Sequence, residues 1–162
     1  MQYPYEIFLN KRKYTVEILK RFAMMDCKAM TTPMTTNWKL LNDDSSKIVD
    51  FILYRYITGS LKYLTNMRPD IWFVVNTLSQ YMMKPKHIHV VGSKHAMRYL
   101  KGALDYGLRY ASDGEIRLHG FTYLDWVGNV DDKKSTSGCC VSLGSCMISW
   151  FSKKQSSITL ST

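Results

Sequence analysis

The spacing of apolar residues changes at Asp105, and that change divides the chain into a helical part and a sheet part. Before Asp105 apolar positions recur every three or four residues, the period of a helix packed on one face. Tyr14, Ile18 and Phe22 stand four apart within residues 13–24. Tyr54, Ile57, Leu61 and Leu64 form a second stripe in "FILYRYITGSLKYLT", where Gly59 lowers helix propensity but permits close approach. A third stripe is Ile71, Val75, Leu78 and Met82. Pro69 suits its first turn, Asp70 complements the positive helix start, and Pro85 limits its extension. Val90, Ser93, Met97, Leu100 and Leu104 make the fourth. A polar connector runs from Thr31 to Lys47, and Pro33 prevents a continuous helix there.

After Asp105 the pattern is extended. "YGLRYASDGEIRLHGFTYLDW" predicts two strands around a turn near Asp113-Gly114, and "GCCVSLGSCMISWF" predicts two strands joined near Gly144-Ser145. The expected fold class is α+β. Residues 1–104 form the helical region, and residues 105–162 carry an antiparallel sheet of about three strands.

Charge narrows the choice of partners. Twenty-two Lys and Arg face 13 Asp and Glu, a formal net charge of +9. That balance favours anionic partners: RNA, DNA or their hybrid. Lys94, Arg98 and Lys101 line one side of the fourth helix at spacings of four and three, a stripe able to track phosphates. The same stripe suits the solvated side of an amphipathic helix. Lys133 and Lys134 add two cations in a polar loop.

Carboxylate and histidine clusters are weak candidates for metal chemistry. Asp131-Asp132 lies between Gly128-Asn129 and Lys133-Lys134, a solvated context rather than a tight turn between apolar strands, and Asp43-Asp44 falls in the connector. His87, His89 and His95 do not share a helical face and suit surface or helix-start roles better. No serine sits in a nucleophile elbow, and Gly92-Ser93-Lys94 lacks the rest of a phosphate loop. Cys27, Cys139, Cys140 and Cys146 contain no CxxC, so reduced thiols are expected and no metal site is assigned. The start has no apolar signal region, and no run approaches a membrane span. The expected location is intracellular, cytoplasmic or nuclear, with no membrane partner and no secretion.

Five stretches, in order, resemble one family: "KRKYTVEILKRFAMMDCKAMTTPM", "YRYITGSLKYLTNMRPDIWFVVNTLSQYM", "RYLKGALDYGLRY", "DWVGNVDDKKSTSG" and "ISWFSKKQSSITLST". They are similar to the Pol polyprotein of copia-type LTR retrotransposons, in the piece after the reverse transcriptase palm that runs into ribonuclease H. The resemblance implies a thumb and connection region over 1–104 and the first three strands of ribonuclease H over 105–162. It also implies parent activities of RNA-directed DNA polymerase and magnesium-dependent ribonuclease on RNA–DNA hybrids.

The likeness fails where the chemistry would sit. The family places a metal-binding Asp at the position held here by Tyr123, a phenol that is neutral at pH 7. Asp125 matches a different family position and lies roughly 7 Å further along a strand. The palm is expected before Met1 and the later ligands beyond Thr162. These features lead us to expect a catalytically inert fragment with no cofactor of its own. One alternative is a nucleic-acid-binding remnant that uses the basic helical face. Another is a residual magnesium nuclease using Asp125 with Asp131 and Asp132. The short sheet, if left uncovered, offers a face for self-association.

Overall fold

The computed structural model describes residues 2–3, 6–35, 49–111, 116–125 and 135–155. The fold is α+β and divides into two units. One comprises residues 9–107. The other joins the described residues up to Phe8 with those from Leu108 onward.

The helical unit holds α1 (Arg12–Arg21), α2 (Phe51–Leu64), α3 (Trp72–Ser79) and α4 (His87–Gly102). Its core joins their apolar stripes. Ile18 and Leu19 of α1 meet Ile57, Leu61 and Leu64 of α2, Val74 and Val75 of α3, and Met97 and Leu100 of α4. Of the second stripe, all four predicted positions are buried. The Asp50 side chain caps α2 by accepting from the Ile52 N–H at 2.8 Å, which satisfies an end donor that the helix itself cannot. Pro69 opens a single 3-10 turn, Pro69–Ile71, that leads into α3. That helix stops at Ser79, so Met82 lies past its end.

An ion pair at the 3-10 turn before α3 reaches the end of α4. Arg68 is 2% exposed. Its guanidinium donates to Asp70 through Nε at 2.9 Å and Nη2 at 2.7 Å, and to the Ala103 carbonyl through Nη1 at 2.9 Å. The Tyr99 hydroxyl adds a 2.7 Å bond to the same carboxylate. Burial alone would raise the Asp70 pKa, but the Arg68 bonds and charge, with Tyr99, hold it below the ordinary value. Asp70 stands in the first turn of this 3-10 helix, as the sequence predicts, and is also the counter-ion of Arg68.

The second unit contains two three-stranded antiparallel groupings. Strands β1 (Gln2–Tyr3), β2 (Glu6–Leu9) and β3 (Leu108–Ala111) lie in that order; β4 (Leu118–Asp125), β5 (Thr136–Leu143) and β6 (Cys146–Lys154) form the other sheet. The hairpin of β5 and β6 turns at Gly144-Ser145 as the sequence predicts, and Gly144 takes φ 56°, a region glycine enters without strain. A shift of register follows Val141.

Two expectations change. The N-terminal residues are not part of a continuous helical region, because β1 and β2 form strands there. Glu6 to Leu9 alternate between half-buried and exposed, the period of a strand. The two extended runs on either side of Asp113-Gly114 do not pair with each other either. Strand β3 pairs with β2 and β4 with β5, while the turn itself lies outside the described residues. The ion pair of Arg109 with Glu6, 2.9 Å from Nε to Oε2, links β3 to β2 across 103 residues of chain. No spacing within residues 105–126 can show such a long-range partner.

Candidate nucleic-acid interface

The basic stripe of α4 holds another part of the chain. Residues 27–32 lie along this helix as a strap that runs opposite to it. Lys101 Nζ donates to the Cys27 carbonyl. Arg98 Nε donates to the Lys28 carbonyl at 2.7 Å, and the Met30 N–H donates to the Arg98 carbonyl at 3.2 Å. A ring nitrogen of His95 lies 3.0 Å from the Thr32 carbonyl. Gly102 lets the strap close in, since a Cβ there would lie 3.2 Å from Ala29 Cβ. Of the three predicted phosphate contacts, Lys94 is exposed, while Arg98 and Lys101 each anchor the strap. Lys133 and Lys134 lie outside the described residues, as do Asp131-Asp132 and Asp43-Asp44.

The histidines separate in the same way. His87 is exposed at the start of α4. His89 is 2% exposed and accepts from the Lys86 N–H through Nδ1 at 2.9 Å, with its ring stacked 3.9 Å from Tyr81. Burial first, and the Lys86 charge second, push its pKa down to about 4. The helix-start role expected of this cluster is thus filled by His89, in the interior rather than on the surface. Among the described residues no group of three His, Cys, Asp or Glu is placed to hold a metal ion. All four cysteines are free thiols.

The open cationic face is on α2, facing away from the core. Gly59 is exposed, and a Cβ placed there would meet no atom within 4 Å. Tyr56 and Tyr63 flank it, three residues before and four after, at 51% exposure each. At 1.5 Å of rise per residue the two rings stand roughly 10 Å apart along the helix. Residues of α1 and its flanks hold both rings. Tyr14 packs edge-on to Tyr63 at 4.7 Å, and Phe22 edge-on to Tyr56 at 5.8 Å. Each tyrosine also carries a cation. Lys11 Nζ sits 3.3 Å from the Tyr63 centroid, and Arg21 donates to the Tyr56 hydroxyl at 2.8 Å. Arg55 lies over Phe51 at 5.1 Å and donates to the Met82 carbonyl at 3.2 Å. Beside them an open groove of about 550 Å³ is lined by Asp50, Ile52, Leu53, Arg55 and Tyr56.

The chemistry of this arrangement suits an anionic strand with flat bases. Rings fixed edge-on and bearing cations offer stacking surfaces beside positive charge. A glycine between them lets a backbone or a ribose approach the helix closely. The sequence hides this face because its aromatics read as part of a helical apolar pattern. The usable signal is that Tyr56 and Tyr63 fall off the stripe of Tyr54, Ile57, Leu61 and Leu64.

The position at which the family resemblance leads one to expect a metal-binding carboxylate holds an aromatic ring. Tyr123 of β4 stands opposite Gly138 of β5, and a methyl group on Gly138 would overlap the Tyr123 ring. The ring therefore fills the space over the glycine. Asp125 is two residues further along β4, opposite Thr136. A phenol seated on its cross-strand glycine supplies no charged ligand, and the Asp125 position is displaced by about 7 Å. These residues do not fit the two-ion carboxylate site that magnesium chemistry needs.

Comparison with known proteins shows a similarity to transposon polyproteins. It is 41% identical over 159 residues, 98% of its length, to the retrovirus-related Pol polyprotein from transposon RE2 of Arabidopsis thaliana. It is 31% identical over 97% of its length to the corresponding polyprotein from transposon TNT 1-94 of Nicotiana tabacum. An uncharacterized mitochondrial protein of Arabidopsis thaliana is 36% identical over 99% of the chain, which covers 66% of that protein. The chain spans only 11% of the RE2 polyprotein and 12% of the TNT 1-94 one. No protein-family model matches it, and no solved structure matches significantly. Among the described residues no helix is long and apolar enough to cross a membrane.

Proposed function

This chain is homologous to the Pol polyproteins of copia-type retrotransposons, and on that premise we propose that it is a catalytically inert, nucleic-acid-contacting part of such a polyprotein. The helical unit corresponds to the thumb and connection region of the reverse transcriptase. The sheet β4–β5–β6 corresponds to the first strands of ribonuclease H. The parent activities are RNA-directed DNA polymerase and hybrid ribonuclease; this chain contributes grip on RNA, DNA or a hybrid rather than chemistry.

The observation that carries this reading is the face of α2, where Tyr56, Gly59 and Tyr63 lie in a row with Lys11, Arg21 and Arg55 around them. The sequence offers α4 for the same role. There, Arg98 and Lys101 would have to exchange strap carbonyls for phosphates, which leaves Lys94 as the accessible cation. Inertness rests on Tyr123 in place of a carboxylate and on its seat against Gly138.

Binding of the full chain to a labelled single-stranded RNA and to an RNA–DNA hybrid, followed by fluorescence anisotropy at several salt concentrations, tests both parts. Affinity should fall steeply as salt rises. Tyr63→Ala should weaken binding about tenfold through lost stacking. Arg55→Ala and Lys11→Ala should each flatten the salt dependence by about one phosphate contact. Binding that ignores these changes but collapses with Lys94→Ala would move the interface to α4. Magnesium-dependent cleavage of the hybrid, abolished by Asp125→Asn, would replace the inert reading with a residual nuclease.

A further inference from the structure

Two ring contacts fix how α1 lies beside α2. Tyr14 meets Tyr63 at 4.7 Å between centroids, and Phe22, just past the end of α1, meets Tyr56 at 5.8 Å. The two helices therefore run antiparallel, and position 18 of α1 stands level with positions 59 and 60 of α2. Ile18 and Ser60 are buried there, at 1% and 7% exposure. Their chain neighbours Glu17 and Gly59 are exposed. Glu17 shares one face of α1 with Tyr14, three residues before it, and Arg21, four after it. Glu17 and Gly59 thus lie on the two flanks of one open furrow, midway between the Tyr56 and Tyr63 rings.

This carboxylate is isolated and unpaired. Within residues 11–22 and 51–64 Glu17 is the only acid. The nearest arginines of its helix are engaged elsewhere. Arg12 pairs with Asp105, and Arg21 donates to the Tyr56 hydroxyl at 2.8 Å. Among the described residues no cation pairs with Glu17. A phosphate lying over it would meet like charge at short range, so a nucleic-acid backbone must follow the cations at the margins. A base edge suits the position instead, because its N–H groups donate to a carboxylate. Guanine alone presents two adjacent donors, N1–H and the 2-amino group, that match both carboxylate oxygens. Adenine and cytosine each set one amino group beside an acceptor nitrogen, and uracil sets one N–H between two carbonyls.

We propose that Glu17 gives this face a preference for guanine, by accepting from N1–H and the 2-amino group of a base stacked in the furrow. The inference rests on the nucleic-acid reading of the α2 face and adds a specificity-determining residue to it. The edge that Glu17 would read is occupied in a base pair and free in a single strand. The ligand is therefore an unpaired guanine, with its phosphates kept to the cationic margins and Gly59 leaving room for its ribose.

Fluorescence anisotropy of the full chain with the labelled RNA hexamers UUUGUU and UUUUUU tests it. The hexamer with guanine should bind about tenfold more tightly, the scale of one bidentate base contact. Inosine in place of the guanine lacks the 2-amino group and should cut that preference to about threefold. Glu17→Ala should bind UUUUUU more tightly than wild type, because a negative charge is gone, and should hold the two hexamers within about twofold of each other. Equal binding of both hexamers by the wild-type chain, weakened in both by Tyr63→Ala, overturns the guanine preference and leaves the nucleic-acid reading standing. A preference that survives Glu17→Ala overturns it too, as does an equal loss of affinity for both hexamers in that variant. Binding to neither hexamer overturns the inference together with the reading beneath it. The inosine comparison needs no variant and decides alone if Glu17→Ala fails to fold.

Discussion

Arg98 accepts from the Met30 N–H at its carbonyl, and its side chain binds the same strap a second time, with Nε donating to the Lys28 carbonyl. The helix thereby fixes a segment with no regular structure of its own. Arg98→Ala should cost about 1–2 kcal/mol, the scale of a charge-assisted bond to a carbonyl. Lys94→Ala, on the exposed side, should stay within about 0.5 kcal/mol. Urea unfolding measures both, and hydrogen exchange at Met30 should quicken only in the Arg98 variant. Equal effects from the two substitutions would mean that the strap contributes nothing.

The buried partner of Asp70 makes a second prediction. Asp70→Asn would leave Arg68, at 2% exposure, without its counter-charge. Because Asp70 is itself partly open to solvent, the cost should fall near the lower end for a broken buried pair, about 2–3 kcal/mol. Thermal or urea unfolding at neutral pH checks it. A change below about 0.5 kcal/mol would show that water or the Tyr99 and Ala103 oxygens suffice for Arg68.

The helical stripes were legible in the sequence because their partners are three or four residues away. Ile18, Ile57, Leu61, Leu64, Ile71, Leu78 and Met97 are all at or below 4% exposure, as their spacing predicts. The hairpin at Gly144-Ser145 was legible for the same local reason. What escaped is nonlocal. Strand β3 needs β2, 103 residues away at the Arg109–Glu6 pair. The strap needs α4, and its anchors are main-chain carbonyls that carry no residue-type signal. Lys101 and Arg98 read as phosphate ligands because a cation's sequence position does not reveal which oxygen it meets. Tyr123 stood out through family resemblance; its seat on Gly138 required the strand register.

Acid should weaken the helical unit through His89. Its folded pKa lies at about 4 against an ordinary histidine value of 6.5, so the unfolded chain takes up a proton first as pH falls. The stabilisation is fully present above about pH 6.5 and is lost between there and pH 4, by an amount on the order of 3 kcal/mol. Unfolding free energy measured at pH 7 and pH 4.5 should differ in that direction. His89→Gln lowers stability at neutral pH but should flatten this part of the profile. An unchanged slope in that variant would assign the titration elsewhere.

Tyr123 and Gly138 should be coupled. Gly138→Ala places a methyl group into the ring and should destabilise the sheet by about 1–3 kcal/mol. Tyr123→Ala removes both the ring and the clash, so the double variant should be more stable than the sum of the single losses predicts. A double-mutant cycle with a coupling energy of at least about 1 kcal/mol is expected. Additive losses would show that the ring can leave the glycine freely.

Gly59 separates binding from stability. A glycine inside α2 costs the helix about 1 kcal/mol relative to alanine, and nothing in the fold requires it. Its φ is not positive, and a Cβ would meet no atom within 4 Å. Gly59→Ala should therefore raise unfolding free energy by up to about 1 kcal/mol, and Gly59→Leu by a similar amount. If the row of Tyr56, Gly59 and Tyr63 receives a nucleic-acid strand, the larger side chain must weaken binding while the fold gains stability. We expect Gly59→Leu to bind single-stranded RNA at least about tenfold more weakly than wild type, with Gly59→Ala between the two. Opposite movements of stability and affinity identify a glycine kept open for a ligand. A Gly59→Leu chain that is more stable and binds as tightly as wild type would remove this face from the account.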